Sequence, residues 1–150
     1  GARANALVSG AGWRRCMSGG GVMKMQNLYE GGSSRTVIES YNSHGFIVNG
    51  ALMQGAVILL SNTMCVWNVR TVQDITFDSL ACLRVLKLKP DLCIFGTGSR
   101  IERLPQELQD QLREADIGME VLDTVNALAT FNVLNEEGRN VAGAFFPLDP

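Results

Sequence analysis

The sequence predicts a mixed α/β domain in which an N-terminal β-meander is followed by alternating strands and helices. One observation is the uninterrupted apolar run from Leu92 to Phe95, bounded by Pro90 and Gly96. This run is too short for a helix and is typical of a strand buried on both faces. A glycine turn and then helical spacing follow it, which makes half of a βαβ unit. A further observation is that the earlier part of the chain contains short strand-like segments joined by short links.

The first half of the chain predicts the meander. Thr36-Val37-Ile38 favours a short strand. Residues 44–50 form a strand ending in Asn49-Gly50, a pair that favours a turn with positive φ. Residues 55–60 and 64–69 are predicted as the next two strands. Three adjacent strands with such short links imply antiparallel pairing.

The second half predicts the alternation. Thr76 or Asp78 is suited to cap a helix that Pro90 stops. After the strand at 91–96, apolar spacing predicts a helix from about 105 to 116, with Gly118 at its C-terminal end. A strand over 119–122 and a helix capped by Asp123 or Thr124 come next, and residues 141–146 form the last strand.

Composition bounds the class of protein. The chain has 150 residues, 46% hydrophobic and 19% charged, which suits one globular domain. We expect that domain to span 36–150. The net charge of −2 makes nucleic acid an unexpected partner of the whole chain. The longest apolar stretch, Ala56 to Leu60, is far shorter than the ~20 residues of a transmembrane helix.

The segment 1–35 differs from the rest in charge. Residues 1–29 hold four basic residues and no acid, whereas residues 30–150 carry a balance of −6. A basic, acid-free leader rich in Gly, Ala and Ser is typical of a mitochondrial targeting segment, and a plain polar tail is the alternative. Arg14 and Arg15 within it are candidates for binding a partner, and this leader is the one part suited to nucleic acid.

The candidate ligand site is the turn Gly96-Thr97-Gly98 with the nearby Asp123-Thr124. A glycine turn ahead of a helix can offer free backbone N–H groups to an anion. The residues complete neither a Walker loop nor a dinucleotide fingerprint, because one residue separates the glycines and Ile101 stands where a third glycine is required. The alternative is that both glycines permit a sharp, closely packed turn.

No residue set predicts catalysis, a metal or a cofactor. His44 is the single histidine, and the four cysteines, Cys16, Cys65, Cys82 and Cys93, have no metal-ligand spacing. The last three lie in apolar runs and are interpreted as core residues. Trp67 is either a core residue or an exposed anchor for a partner. The inventory favours a binding or scaffolding role over an enzyme.

Several stretches together resemble the small family that includes the mitochondrial complex I assembly factor 3 and the adipogenesis-associated Mth-type domain proteins. The resemblance covers about residues 36–146. Its most specific parts are the Gly96-Thr97-Gly98 turn and a later string of residues. That string consists of Asp123-Thr124, Ala127, the set Thr130, Asn132 and Leu134, and Glu137-Gly138-Arg139. The residues that carry it are Ile47 to Gly50, Trp67, Asp74-Ile75, Pro90 to Leu92, Phe95 to Gly98, Leu104-Pro105, Gly118 to Thr124, Asn126-Ala127, Thr130 to Leu134 and Glu137 to Arg139.

The resemblance implies a compact three-layer fold with a central mixed sheet, no established catalytic activity and no cofactor. It implies a scaffold for complex I (NADH:ubiquinone oxidoreductase), either an assembly factor or a retained subunit, in the mitochondrial matrix and peripheral to the inner membrane. Its partners are then complex I subunits or other assembly factors. Two alternatives stay open: an accessory protein of another mitochondrial assembly such as the ribosome, and a small-molecule or anion-binding protein that uses the glycine turn.

Overall fold

The computed structural model describes residues 12–16, 35–84 and 89–149. Within these ranges the chain forms two β-sheets and three α-helices. The strands are β1 (Arg14–Arg15), β2 (Ile38–Tyr41), β3 (Gly45–Val48), β4 (Ala51–Gln54), β5 (Val57–Leu59), β6 (Met64–Val66), β7 (Leu92–Gly96), β8 (Gly118–Leu122) and β9 (Val141–Phe145). The helices are α1 (Ala81–Arg84), α2 (Gln106–Glu114) and α3 (Thr124–Glu136).

The smaller sheet is an antiparallel meander in the order β1-β2-β3-β4. Asn49 and Gly50 both have positive φ, 49° and 80°, and this turn joins β3 to β4. Positive φ at both central positions matches the right-handed twist of the flanking strands, so the hairpin closes over two residues. An N-terminal meander is therefore confirmed, but of the three strands predicted to form it only the one at 44–50 belongs to it. Arg14–Arg15, Ile38–Tyr41 and Ala51–Gln54 supply its other strands.

The larger sheet is mixed, in the order β6-β5-β9-β7-β8. β9 is the middle strand; β7 lies beside it and runs parallel to both β8 and β9, while β5 is antiparallel to β9 and to β6. Side chains alternate between faces along β7, so Cys93 and Phe95 enter one core and Ile94 enters the other. The buried strand predicted at 91–96 is confirmed as Leu92–Gly96.

Three layers result. On one face of the larger sheet, α2 packs with the segment between β6 and α1, through buried side chains that include Leu104, Leu108 and Leu112. On the other face, α3 packs with β2 and β3 of the smaller sheet. The connections β7-α2-β8 and β8-α3-β9 run in opposite directions across the sheet, so right-handed crossovers require the two helices to lie on opposite faces. The predicted fold class is confirmed.

Three details of the prediction are wrong. Strand 55–60 does not continue the first meander, because β4 pairs with β3 at once and Gly55, at φ 81°, redirects the chain so that β5 enters the larger sheet. The third strand stops at Val66, and Trp67 lies beyond it. Gly118 begins β8, and Asp116, at φ 59°, supplies the left-handed residue after α2, since a short polar side chain tolerates that conformation.

Within the described residues, the helix predicted from Thr76 or Asp78 begins at Ala81 and is described as far as Arg84, short of its predicted end before Pro90. A 3-10 turn, Asp78–Leu80, leads into α1. Thr76, which precedes the N-cap Phe77, bonds reciprocally with Ser79: its Oγ1 accepts from the Ser79 N–H at 3.1 Å, and its own N–H donates to Ser79 Oγ at 3.2 Å. Residues 85–88 lie outside the described ranges. None of the helices that the structure describes is long and apolar enough to cross a membrane.

Candidate functional site

The predicted turn lies where two crossover connections leave the sheet on opposite faces. Gly96 ends β7 and Thr97 and Gly98 follow it, and Asp123 and Thr124 follow β8 as the start of α3. The carboxyl ends of neighbouring parallel strands at such a point are the usual place for a ligand in open α/β sheets. The structure therefore brings together all five predicted residues.

Hydrogen bonds within the protein use the backbone donors at the centre of the turn. The Thr97 N–H donates to Leu122 O at 3.0 Å, and the Gly98 N–H donates to Thr124 Oγ1 at 2.8 Å. The Thr97 hydroxyl donates to Arg100 O at 2.6 Å and accepts from the Glu102 N–H at 3.0 Å, which closes the loop on itself.

Thr124 joins three parts of the chain. Its side chain is fully buried, and its hydroxyl donates to Phe146 O at 2.6 Å while it accepts from Gly98. Its own N–H donates to Gly98 O at 2.8 Å. The hydroxyl therefore connects the end of β7, the start of α3 and the end of β9, with both hydrogen-bonding capacities in use.

Gly96 is required by close packing. A Cβ atom at this position would lie 2.9 Å from Phe145 Cδ1 and 3.0 Å from both Cα and Oγ1 of Thr124. The contact with Thr124 Cα is with backbone, so the start of α3 would have to move away from β7 to admit even an alanine. This glycine thus sets the spacing between helix and strand.

The start of α3 has a negatively charged side chain of its own. Asp123 is the N-cap, and its carboxylate accepts from the Asn126 N–H at 3.3 Å and from the Asn126 side-chain amide at 2.6 Å. A carboxylate here neutralises the positive end of the helix and repels a second anion. Anion binding by Gly96, Thr97, Gly98, Asp123 and Thr124 stays a prediction, and this geometry favours the alternative of a structural junction.

Trp67 lies in the core of the larger sheet. Its side chain is 4% exposed and packs on Phe146, with ring centroids 5.0 Å apart. Its indole Nε1–H is buried and has no hydrogen-bond partner among the described residues. In this conformation the side chain offers no anchor to a partner.

Arg14 and Arg15 are both exposed on β1, the edge of the smaller sheet, where they pair with Tyr41 and Ser40 of β2. The predicted boundary at residue 35 thus has a paired strand on its leader side. Most of the predicted leader, 1–11 and 17–34, lies outside the described residues.

Of the three cysteines interpreted as core residues, Cys93 is buried in the core, Cys82 is half-buried against it, and Cys65 is half-buried. Burial raises the pKa of Cys16 to about 12 and, together with the nearby Cys65, raises that of Cys82 to about 11. Burial also raises the pKa of Cys93. A thiol that stays protonated at neutral pH is a poor nucleophile and metal ligand. No group of three potential metal ligands occurs within residues 12–16, 35–84 and 89–149.

Two asparagines of α3 form a junction that the sequence analysis did not single out. Asn132 Oδ1 accepts from the Ile38 N–H at 3.1 Å, and its Nδ2 donates to Ile38 O at 3.0 Å. Asn135 Nδ2 donates to Thr36 O at 3.0 Å and Ser61 O at 3.2 Å. Both side chains are buried. The signal for them is the weak helix propensity of Asn in the middle of an otherwise apolar helix.

Two shallow concavities also lie on the surface. One, of about 330 Å³, lies between α2 and the segment before α1 and is lined by residues that include Ile75, Phe77 and Leu108. The other, of about 200 Å³, is lined by polar residues that include Arg35 and Arg139. Arg35 Nη1 is held there by Asn135 O at 2.8 Å.

The sequence family follows from residues 38–146, which match the model of a family described as "Protein of unknown function (DUF498/DUF598)". The chain belongs to this family. The match runs from β2 to the residue after β9, and it therefore contains the junction at Thr124 and both asparagines of α3.

Curated DUF498/DUF598 relatives of this chain include proteins named NADH dehydrogenase [ubiquinone] 1 alpha subcomplex assembly factor 3. The human protein is 43% identical over 110 residues, which are 73% of this chain and 60% of the relative. The zebrafish (Danio rerio) protein is 40% identical over 115 residues, 77% of this chain and 66% of the relative. The chain therefore spans less than two thirds of the length of these relatives. An uncharacterized protein of Rhodobacter capsulatus is 32% identical over 111 residues, 74% of this chain and 84% of that protein.

Solved structures share the DUF498/DUF598 fold described here. A crystal structure of a Bordetella parapertussis protein has a TM-score of 0.70 and 28% identity, covering 78% of this chain and 99% of that one. A solution structure of a Bordetella pertussis protein, described as a Mth938-like domain, has a TM-score of 0.66 and 25% identity, covering 76% and 87%.

Proposed function

We propose that this protein is a non-catalytic scaffold in the biogenesis of mitochondrial complex I. The observation that carries this proposal is the 43% identity, over 73% of the chain, to a protein named as a complex I assembly factor. The relatives' names also favour a role other than catalysis. The structure supports the proposal in one further respect, since the predicted ligand turn is built into the packing of the domain.

The partners in this proposal are complex I subunits or other assembly factors, met in the mitochondrial matrix at the inner membrane. Arg14 and Arg15 are the proposed side chains for an acidic partner surface, because both are exposed on an edge strand. Electrostatic attraction of this kind acts mainly on the rate and specificity of association and weakens with salt.

Affinity purification from mitochondria tests the proposal. The tagged protein is expressed in cells that lack the endogenous copy, and its eluate is analysed by native electrophoresis and mass spectrometry. We expect complex I subunits or assembly factors to co-purify, and we expect carbonate extraction to release the protein from the membrane. Recovery of mitochondrial ribosomal proteins without any complex I component would contradict the proposal in favour of that alternative.

A pulse-chase experiment separates a transient factor from a retained subunit. Labelled protein that appears in assembly intermediates and then leaves them identifies an assembly factor, whereas label that persists in mature complex I identifies a subunit. Charge reversal of Arg14 and Arg15 to Glu tests the proposed contact. We expect weaker co-purification than with the control Arg113→Glu, which alters an exposed arginine of α2.

A further inference from the structure

The larger sheet ends on one side at β8, whose outer edge is unpaired among the described residues. β8 is parallel to β7, with Met119 opposite Cys93 and Val121 opposite Phe95. The Gly118 N–H donates to Asp91 O at 2.9 Å, and the Thr97 N–H donates to Leu122 O at 3.0 Å. In a parallel ladder, alternate residues bond to the same neighbour. The backbone groups of positions 118, 120 and 122 therefore face β7.

The backbone N–H and C=O groups of Met119 and Val121 consequently point away from the sheet. Within residues 12–16, 35–84 and 89–149, no hydrogen bond reaches these four groups. The other sheet edges are shorter: β1 has two residues, β6 three and β4 four, against five for β8. β8 is thus the longest edge available for pairing in the described part of the chain.

The two faces of β8 differ in chemistry. Met119 and Val121 are half-buried against the core on the α2 side. On the opposite face Gly118 and Glu120 are exposed, because α3 packs mainly over β7 and β9. A strand added here would meet an apolar margin on one face and a carboxylate on the other.

The charge beside this edge is negative. Lys89 neutralises Asp116 at 3.5 Å, whereas Glu120 and Asp123 have no cationic partner among the described residues. Glu120 is the middle residue of β8. A second copy that paired antiparallel and symmetrically about this middle residue would place two Glu120 carboxylates opposite each other, which is unfavourable. The edge is therefore protected against self-association and complementary to a basic strand.

We propose that β8 is a docking edge for an extended segment of a partner polypeptide that alternates apolar residues with Lys or Arg. The segment adds to the larger sheet as a sixth strand and bonds to the backbone of Met119 and Val121. It covers their side chains with apolar groups and places a basic side chain beside Glu120. This inference rests on the proposed scaffold function and names the surface through which it works.

Val121→Pro is the deciding variant. Proline removes the outward N–H and puts its ring where the added strand would lie, and an edge position tolerates it because no internal ladder bond is lost. Val121→Thr is the matched control, since it keeps the N–H and the β-branched shape. We expect Val121→Pro to lower the recovery of complex I components at least about tenfold. This is the effect of losing roughly two hydrogen bonds, the one from the Val121 N–H and, because the ring displaces the added strand, the one to the Val121 C=O. Val121→Thr should stay within about twofold.

Two further measurements keep the test independent of the stability of the proline variant. Glu120→Lys reverses the charge at an exposed position, and we expect it to lower recovery more than Glu120→Gln does. Hydrogen exchange of the wild-type protein should show the amides of Met119 and Val121 unprotected in the free protein and protected in the purified complex.

The outcomes are distinct. If the wild type recovers complex I components and both Val121→Pro and Glu120→Lys recover them equally well, the docking edge is wrong and the scaffold function stands. If the wild type recovers none of them, the scaffold function fails and this inference fails with it. A homodimer in sedimentation that Val121→Pro abolishes would overturn the choice of a basic partner.

Discussion

At the residue scale, the single hydroxyl of Thr124 joins separate parts of the chain by hydrogen bonds. It is fully buried, accepts from the Gly98 N–H and donates to Phe146 O. Valine has the same shape without the hydroxyl, so Thr124→Val would leave one buried donor and one buried acceptor without partners. Each such group costs about 1–3 kcal/mol. We expect the free energy of unfolding in urea to fall by roughly 2–4 kcal/mol.

Thr130→Val is the control for that experiment. Thr130 lies on the same helix and is half-buried, and within the described part of the chain its hydroxyl donates only to Asn126 O, at 2.9 Å. A bond from a threonine hydroxyl to the carbonyl one turn earlier contributes little to helix stability. We expect a change within about 0.5 kcal/mol. Equal losses for the two variants would show that Thr124 is not a junction.

Glu39 supplies a pH-dependent prediction at the same scale. Its Oε1 is buried without a hydrogen-bond partner among the described residues. Burial raises the pKa of Glu39, and a hydrogen bond from the backbone of Gly50 lowers it to a smaller extent. The unfavourable burial of charge is absent below the ordinary pKa of the unfolded chain and is complete above the raised pKa of the folded state.

Glu39→Gln should therefore stabilise the fold at pH 7.5 and lose this advantage as the pH falls to 4. Because the side chain is only half-buried, solvent screens the effect and we expect a gain of a few tenths of a kcal/mol. Thermal unfolding of both proteins across this pH range measures it. An advantage that grows toward acid pH would contradict the sign argued here.

At the element scale, the start of α3 combines a cap with a charge. Asp123→Ala removes the acceptor for the Asn126 N–H and should lower the free energy of unfolding by ~1 kcal/mol. Asp123→Asn keeps an acceptor and removes the charge, so it should stay within ~0.5 kcal/mol of the wild type. Urea unfolding of the two variants checks both values. Equal losses in the two variants would show that charge, not capping, is what matters, because both variants remove the charge.

The same pair of variants addresses anion binding by the turn. If Gly96, Thr97 and Gly98 bind phosphate or a nucleotide, removing the negative charge of Asp123 should strengthen binding. Thermal-shift assays with inorganic phosphate and with nucleotides, on the wild type and on Asp123→Asn, measure this directly. A shift that is larger for Asp123→Asn would support the ligand prediction over the structural one.

Elements with local signals were predictable from the sequence, and those that depend on distant partners were not. The apolar run at 92–95 identifies β7, Asn49-Gly50 identifies the hairpin turn, and Asp123 identifies the start of α3. No local signal predicts that β5 enters the other sheet, because its pairing with β9, 84 to 88 residues later in the chain, determines this. The sequence predicted that the turn and Asp123-Thr124 lie at one end of the sheet. It did not predict the hydrogen bonds that occupy their donors and acceptors.

At the scale of the whole molecule, the two sheets are coupled through α3. Asn132 bonds both backbone groups of Ile38 as a neighbouring strand would, at the point where the pairing of β2 with β3 shifts register. Asn135 reaches Thr36 and Ser61, which precede β2 and follow β5. Buried amides in a low-dielectric setting stabilise one arrangement strongly when all their partners are present.

Asn132→Ala tests this coupling. The change leaves the N–H and C=O of Ile38 buried without partners, at a cost of about 2–4 kcal/mol. We expect the smaller sheet to lose more stability than the larger sheet. In the wild type, the most protected amides of β3 and of β7 should exchange with the same free energy, that of global unfolding. In Asn132→Ala, the amides of β3 should exchange with a lower free energy than those of β7, because the smaller sheet can open while the larger one stays folded.

Hydrogen exchange by NMR resolves the two sets of amides. The control is Asn126→Ala, which changes an exposed asparagine of the same helix. Equal lowering in both strands would mean that the two sheets still unfold as one unit and that hydrophobic packing through Phe46, Phe131 and Phe145 joins them without the amide.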